Sequence, residues 1–156
     1  MIDEPDIKII AFNDKYARDA VKMWRASKEQ ALGQKDIHSF NDHLNFLRVV
    51  LIKENKVYLA IDQEPDTVAG LLAISGTWLN QLYIHINYQK SGIGSRLLNL
   101  AKELSPGKLE LFTFEVNKNA QAFYEKHGFR IIARGSENEE NLPDIKYEWI
   151  KNKAII

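Results

Sequence analysis

Cysteine is absent from the 156-residue chain, which excludes disulfides, thiolate metal sites and a cysteine nucleophile while leaving the compartment open. An excess of either charge is lacking too. Lys plus Arg and Asp plus Glu number 21 each, so no global field draws nucleic acid or an anionic membrane surface, and neither is expected as a partner. No apolar run approaches the length of a membrane span, and the start, Met1-Ile2-Asp3-Glu4-Pro5, is acidic where a leader would be basic. A cytoplasmic location is the expectation. The four histidines are scattered without ligand spacing, so no metal is expected. What is present is enough apolar material for a core: a hydrophobic content of 45% in a chain of this length fits one domain over 1–156 and leaves no room for a second.

The periodicities lay out the elements. Ile7 to Phe12 reads as a first strand, and Asn13 or Asp14 can cap a helix whose Ala17, Ala20, Val21, Trp24 and Ala31 fall on one stripe, with Gly33 as its stop. Ser39 and Asp42 form a capping pair before a second helix marked by Phe40, Leu44, Leu47 and Leu51. These two helices are expected to cover the substrate end. Val57 to Ile61 and Val68 to Ile74 predict a hairpin turning at Glu64-Pro65-Asp66, and Trp78 to Ile86 a fourth strand. Leu109 to Val116 carries apolar residues on both faces and predicts a central strand covered on both sides. A helix over about 119–126 and two strands, Phe129 to Arg134 and Ile145 to Ile150, complete the chain. The result is a mixed sheet, antiparallel first and locally parallel after the fourth strand.

The stretch from Leu82 to Leu104 stands out. Leu82, Ile84 and Ile86 alternate with polar or aromatic neighbours, and Ile93, Leu97, Leu98, Ala101 and Leu104 then recur at helical spacing, so the period switches across Gln89-Lys90-Ser91-Gly92-Ile93-Gly94. At such a turn the first helical N–H groups lack partners within the helix, and with the positive end of the dipole they suit a phosphate. Gly92 and Gly94 would let backbone approach a ligand closely. Taken alone, the turn reads first as a tight loop of no further role. A third glycine of a dinucleotide fingerprint is missing, and no Gly-Lys-Ser/Thr of a nucleotide triphosphate loop occurs.

A second motif lies downstream: Asn117-x-x-Ala120-x-x-Phe123-Tyr124-Glu125-x-x-Gly128-Phe129. Together with Gln89-x-x-Gly92-x-Gly94 it resembles the GNAT superfamily of N-acetyltransferases, and the order of elements resembles that family over nearly the whole chain. The resemblance implies an α/β fold of α+β character, a mixed and mostly antiparallel sheet of about seven strands flanked by about four helices. It implies acetyl-CoA as cosubstrate. Gln89 and the backbone of Lys90, Ser91, Gly92, Ile93, Gly94 and Ser95 would hold the pyrophosphate, and backbone at Leu82 and Ile84 would pair with the pantetheine arm as an added strand does. Asn117 would contact the coenzyme, although the residue also reads as an ordinary helix cap. Tyr124 would return a proton to the departing thiolate; an ordinary tyrosine, near 10, lies close enough to a thiol for that transfer to be nearly balanced.

The general base is where the chain departs from the family. Many relatives carry a glutamate on the fourth strand; here Asn80 and Gln81 stand there. Glu115 is taken first as the base, with His85 and Glu140 as alternatives, and each also reads as a solvated or structural polar residue. The acidic loop Glu137, Glu139, Glu140 and Asp144 reads as solvated, or as a mouth that steers cationic amines. With no cysteine to carry an acetyl group, direct attack in a ternary complex is the simpler course. The expected function is acetyl transfer to a primary amine of a small molecule or peptide, with room left for a homodimer. Two other readings stay open: a catalytically silent acyl-CoA-binding regulatory module, and a nucleotide-binding domain.

Overall fold

The computed structural model of the chain describes residues 5–152, so the acidic start read at Met1 to Glu4 lies outside them. Its strands are β1 (Ile7–Ala11), β2 (Lys56–Gln63), β3 (Asp66–Ser75), β4 (Trp78–Ile84), β5 (Lys108–Phe114), β6 (Arg130–Gly135) and β7 (Asp144–Ile150). They make one sheet in the order β1-β2-β3-β4-β5-β7-β6. Every pairing is antiparallel except β4 with β5. The helices are α1 (Ala17–Leu32), α2 (Phe40–Asn45), α3 (Ile52–Glu54), α4 (Ile93–Leu104) and α5 (Lys118–Lys126). A π-helical turn, Phe46–Leu51, joins α2 to α3 without a break, so four helical stretches flank the sheet. This is the α/β architecture that the motifs imply.

Local chemistry sets the boundaries. Asn13 Oδ1 accepts from the Lys15 N–H at 3.0 Å and caps a short 3-10 turn that leads into α1. Ser39 Oγ accepts from the Asp42 N–H at 3.1 Å at the start of α2. Each satisfies a donor that helix geometry leaves without a partner. The strands alternate as burial on both faces demands: Leu59, Leu71 and Ala73 pack with α1 and α2, while Ala60, Leu72 and Ile74 pack with α4 and α5.

Two expectations need correction. The fourth strand ends at Ile84, not Ile86, because His85 Nδ1 accepts from the Asn87 N–H at 3.0 Å and caps a 3-10 turn, Ile86–Tyr88, which leaves Ile86 exposed. β5 is covered on one face only. Leu109 and Leu111 are buried against α4 and α5, but Phe112 on the other face is 58% exposed and stacks on Trp78 with ring centroids 5.8 Å apart.

The pairing of β4 positions the site. Ala73 stands opposite Gln81 and Ile74 opposite Leu79, which leaves Asn80 as an extra, unopposed residue. Such a bulge bends its strand. On its other side β4 meets β5 through the single pair Trp78 opposite Glu110. Beyond that point the two parallel strands diverge.

Candidate active site

The divergence of β4 from β5 opens a cavity of about 80 Å³ whose walls include Gln81 and Leu82 of β4, Thr113 of β5, Asn117 and Tyr124. Along β4 the N–H groups alternate between its two neighbours. That of His85, just past the strand, donates to Ala69 O of β3 at 2.8 Å. Two-residue alternation therefore turns the amides of Leu82 and Ile84 toward the gap that β5 has vacated. The Ile84 carbonyl is not free: Ser27 Oγ donates to it, and Gln89 Nε2 does so at 3.3 Å. Of the two backbone groups of Ile84, the N–H therefore faces the gap while the carbonyl is already bonded.

The turn into α4 adjoins this edge. Arg96 N–H, donating to Gly92 O at 3.1 Å, makes the first helical bond of α4, so the amides of Ile93, Gly94 and Ser95 precede the first closed turn. Gly92 has φ +88° and nothing within 4 Å of where a Cβ would stand. Its backbone faces open space and adopts a conformation that side-chain-bearing residues avoid. Gly94 has a different task. A Cβ there would come within 3.3 Å of Phe123 Cζ, so this glycine lets α4 lie against α5. The side chains of the turn are spoken for: Gln89 Nε2 reaches back to Ile84 O and to Gln30 Oε1, Ser91 Oγ donates to Tyr88 O, and Ser95 Oγ lies 3.1 Å from His127 Nε2. Lys90 is exposed with φ 64°. What the turn offers an anion is therefore backbone, with the exposed Lys90 beside it.

α5 and its cap present Asn117, Ala120 and Tyr124 of the second motif to the same cavity. Asn117 Oδ1 accepts from the Ala120 N–H at 3.2 Å, which is the helix-cap role, while the residue also borders the cavity. Tyr124 is 7% exposed and packed between Phe123, Phe129 and Tyr147. Burial raises its hydroxyl above the ordinary tyrosine value, and neighbouring Tyr83 acts in the same direction. The near balance with a thiol expected from the residue type is thereby shifted: the hydroxyl stays protonated and is a donor first.

The match to the family of acetyltransferase (GNAT) domains covers residues 49–131, from the π-helical turn to the start of β6. The chain belongs to this family. It is an acetyltransferase. Over 123 residues it is 26% identical to the peptidyl-lysine N-acetyltransferase YjaB of Salmonella typhimurium, spanning 79% of this chain and 83% of that protein. Apo-form YjaB from Escherichia coli has the same fold, with a TM-score of 0.75 at 21% identity over 97% of this chain and 100% of that one. The PaiA N-acetyltransferase from Thermoplasma acidophilum, solved in complex with coenzyme A, aligns with a TM-score of 0.65 at 18% identity, over 93% and 99% of the two chains.

The carboxylates of the acetyltransferase fall differently from expectation. Glu115 is not part of the cavity wall; its Oε1 lies 3.7 Å from Arg134 Nη1 at a half-exposed position. His85, capping its 3-10 turn, borders a separate open pocket together with Asp19 and Asp66. Glu140 is not in the wall either, but it touches a residue that is. Its Oε1 accepts from Lys28 Nζ at 2.7 Å, and Lys28 is itself part of the cavity wall. The loop between β6 and β7 is therefore docked at Glu140 while most of it stays exposed: Glu140 holds α1, Glu139 Oε2 lies 2.8 Å from His38 Nε2 at an exposed position, and Asp144, which opens β7, is buried and accepts from Asn138 Nδ2.

Behind Lys28 stands Asp36, whose side chain is 1% exposed, with Lys28, His43 and Arg25 each between 3.7 and 3.9 Å away. Burial favours its protonated form, but the His38 N–H and the Lys28 and Arg25 cations outweigh that and hold the carboxyl below the usual range. Burial pushes the Tyr83 hydroxyl up to about 12, with the carboxylates of Glu140 and Asp36 adding to it. Lys28 and Tyr83 were not singled out by sequence reasoning. A signal for Lys28 existed: it follows Trp24 by four residues and precedes Ala31 by three, so it is a charge set on the apolar stripe of α1.

Proposed function

We propose that the protein transfers an acetyl group from acetyl-CoA to a primary amine of a peptide or small molecule, by direct attack in a ternary complex. The observation that carries this reading is the wedge between β4 and β5. One cavity there joins the unpaired edge of β4 and the Tyr124 hydroxyl, beside a turn whose helix amides are free to meet a pyrophosphate. The bound thioester supplies the activated acetyl group. The Leu82 N–H, aimed into the gap, donates to its carbonyl oxygen as charge develops. Leu82 and Ile84 amides align the arm, and the backbone over 90–95 holds the phosphates.

Among the carboxylates named as bases, Glu140 replaces Glu115 in this reading, because Glu140 is in contact with the cavity wall through Lys28. It takes the proton that an ammonium acceptor must lose before it can attack. Tyr124 then donates to the sulfur as the carbon–sulfur bond breaks. Its raised pKa makes this a hydrogen bond first and complete proton transfer second. Peptide lysine is the acceptor we place first, supported by the activity named for the YjaB relative. The test is release of free coenzyme thiol over a panel of lysine peptides, N-terminal peptides and small polyamines, alongside calorimetric titration with coenzyme A. Turnover on at least one amine is expected; coenzyme binding without turnover on any would favour a silent binding module.

A further inference from the structure

Lys28 presents a primary amine, the functional group this family of enzymes acetylates, in the wall of the cavity that contains Tyr124 and Leu82. Its side chain is 16% exposed, and its Nζ is bonded to Glu140 at 2.7 Å with Asp36 at 3.9 Å. A structural lysine is ordinarily turned away from the reacting groups of a transferase. Here it shares their cavity, on a four-carbon stem with freedom to swing, and already touches the carboxylate assigned to remove the acceptor's proton. The same contact is a clasp. Together with His38 and Glu139 it ties the β6–β7 loop to α1 and to the segment that follows it.

We propose that Lys28 is an intramolecular acceptor: the enzyme acetylates its own Lys28 and thereby unfastens the β6–β7 loop from α1. This rests on the acetyl-CoA reading given above. Glu140 takes one proton from the Lys28 ammonium and passes it to solvent, the freed nitrogen lone pair forms a bond to the thioester carbonyl carbon, and the nitrogen, now cationic, gives up a second proton through Glu140 to solvent. The carbon–sulfur bond breaks with its electron pair going to sulfur, which receives a proton from Tyr124, itself reprotonated from solvent. The products are acetyl-Lys28 and the free coenzyme thiol, with one proton released. The new amide is neutral, so neither Glu140 nor Asp36 retains its ion pair to this side chain. Arg25 and His43 still face Asp36; Glu140 is left as an uncompensated carboxylate at the cavity, open to the ammonium of an incoming acceptor.

The experiment incubates the full-length protein with acetyl-CoA carrying an isotopically labelled acetyl group and maps acetylated lysines by peptide mass spectrometry over time. Proximity should make Lys28 acquire label at least about tenfold faster than any other lysine, at a first-order rate independent of protein concentration. Tyr124→Phe should slow the labelling of Lys28 while leaving the background at surface lysines such as Lys53 and Lys118 unchanged. Lys28→Arg, which keeps the charge beside Glu140, should abolish the selective label. Thiol release with lysine peptides is measured on the same preparations. Peptide acetylation with Lys28 unlabelled overturns this inference and leaves the function standing. Label spread evenly over lysines and insensitive to Tyr124→Phe is uncatalysed chemistry and also overturns it. Absence of thiol release with every acceptor, Lys28 included, defeats the acetyl-CoA reading itself.

Discussion

A tyrosine that is 7% exposed in an aromatic cluster would ordinarily be read as packing. In Tyr124 the packing sets the chemistry, because the burial that orders the ring also keeps its hydroxyl protonated. Tyr124→Phe removes only that hydroxyl. We expect turnover to fall by about tenfold to a hundredfold while coenzyme affinity stays near wild type, as steady-state rates beside a binding titration will show; wild-type turnover would remove Tyr124 from the mechanism. His43 makes a second prediction at this scale. Buried against Trp24 with ring centroids 4.1 Å apart, its pKa is lowered by desolvation to about 4. The folded state thus keeps it neutral, while the unfolded chain protonates it near 6.5. Its contribution is intact above about pH 6.5, is lost as pH falls from there, and stops changing below about pH 4. Between pH 7.5 and pH 5 the loss amounts to about 2 kcal/mol. Urea denaturation at both pH values should show this difference in the parent and a smaller one in His43→Gln.

The turn and helix that follow β4 act as a unit, with its two glycines doing different work. Gly92 carries a positive φ over open space, and Gly94 passes beneath Phe123. Gly92→Ala introduces backbone strain alone, whereas Gly92→Glu adds a carboxylate at the mouth of the free amides. Coenzyme A should bind Gly92→Glu at least about tenfold more weakly than Gly92→Ala, roughly 1.4 kcal/mol, measured by calorimetry on variants shown to be folded. Equal affinities would move the pyrophosphate away from this turn. Gly94→Val should act through stability, since Phe123 must yield to the added side chain. Overpacking of this kind costs about 1–3 kcal/mol, and a thermal unfolding curve unchanged from the parent would contradict the fit described between α4 and α5.

At the scale of the whole molecule, the N-terminal helices and the C-terminal loop meet over the cavity. Lys28 and Glu140 are separated by 112 residues and His38 and Glu139 by 101. The two contacts differ in environment. The side chains of His38 and Glu139 are 47% and 68% exposed, those of Lys28 and Glu140 only 16% and 9%. Exposed pairs contribute little. Glu139→Gln should therefore change the Michaelis constant for a lysine peptide by less than about twofold, whereas Glu140→Gln should lower turnover by at least about tenfold as its proton-accepting carboxylate is lost. Steady-state kinetics on the two variants separates a general acidic field from a single positioned base; equal effects would favour the field.

Residues near one another in sequence determined much of this protein without help from the rest of the chain. The change from strand to helical period across Gly92, the caps at Asn13, Ser39 and Asn117, and the face of α5 that carries Tyr124 each follow from spacings of a few residues. The family motifs are legible for that reason, since the turn at α4 and the start of α5 are both local structures. Tertiary structure decided the remainder. Whether Glu115 or Glu140 approaches the cavity depends on how β5, β6 and β7 pack, and no local spacing distinguishes a carboxylate paired with Arg134 from one paired with Lys28. The occupied Ile84 carbonyl depends on α1 laying Ser27 against the end of β4, 57 residues away. The raised hydroxyl of Tyr124 depends on what the sheet and helices bury around it, Tyr83 of β4 and Tyr147 of β7 among them. Backbone geometry is set by neighbours in sequence, but desolvation and ion pairing depend on neighbours in space, which only the assembled sheet brings together.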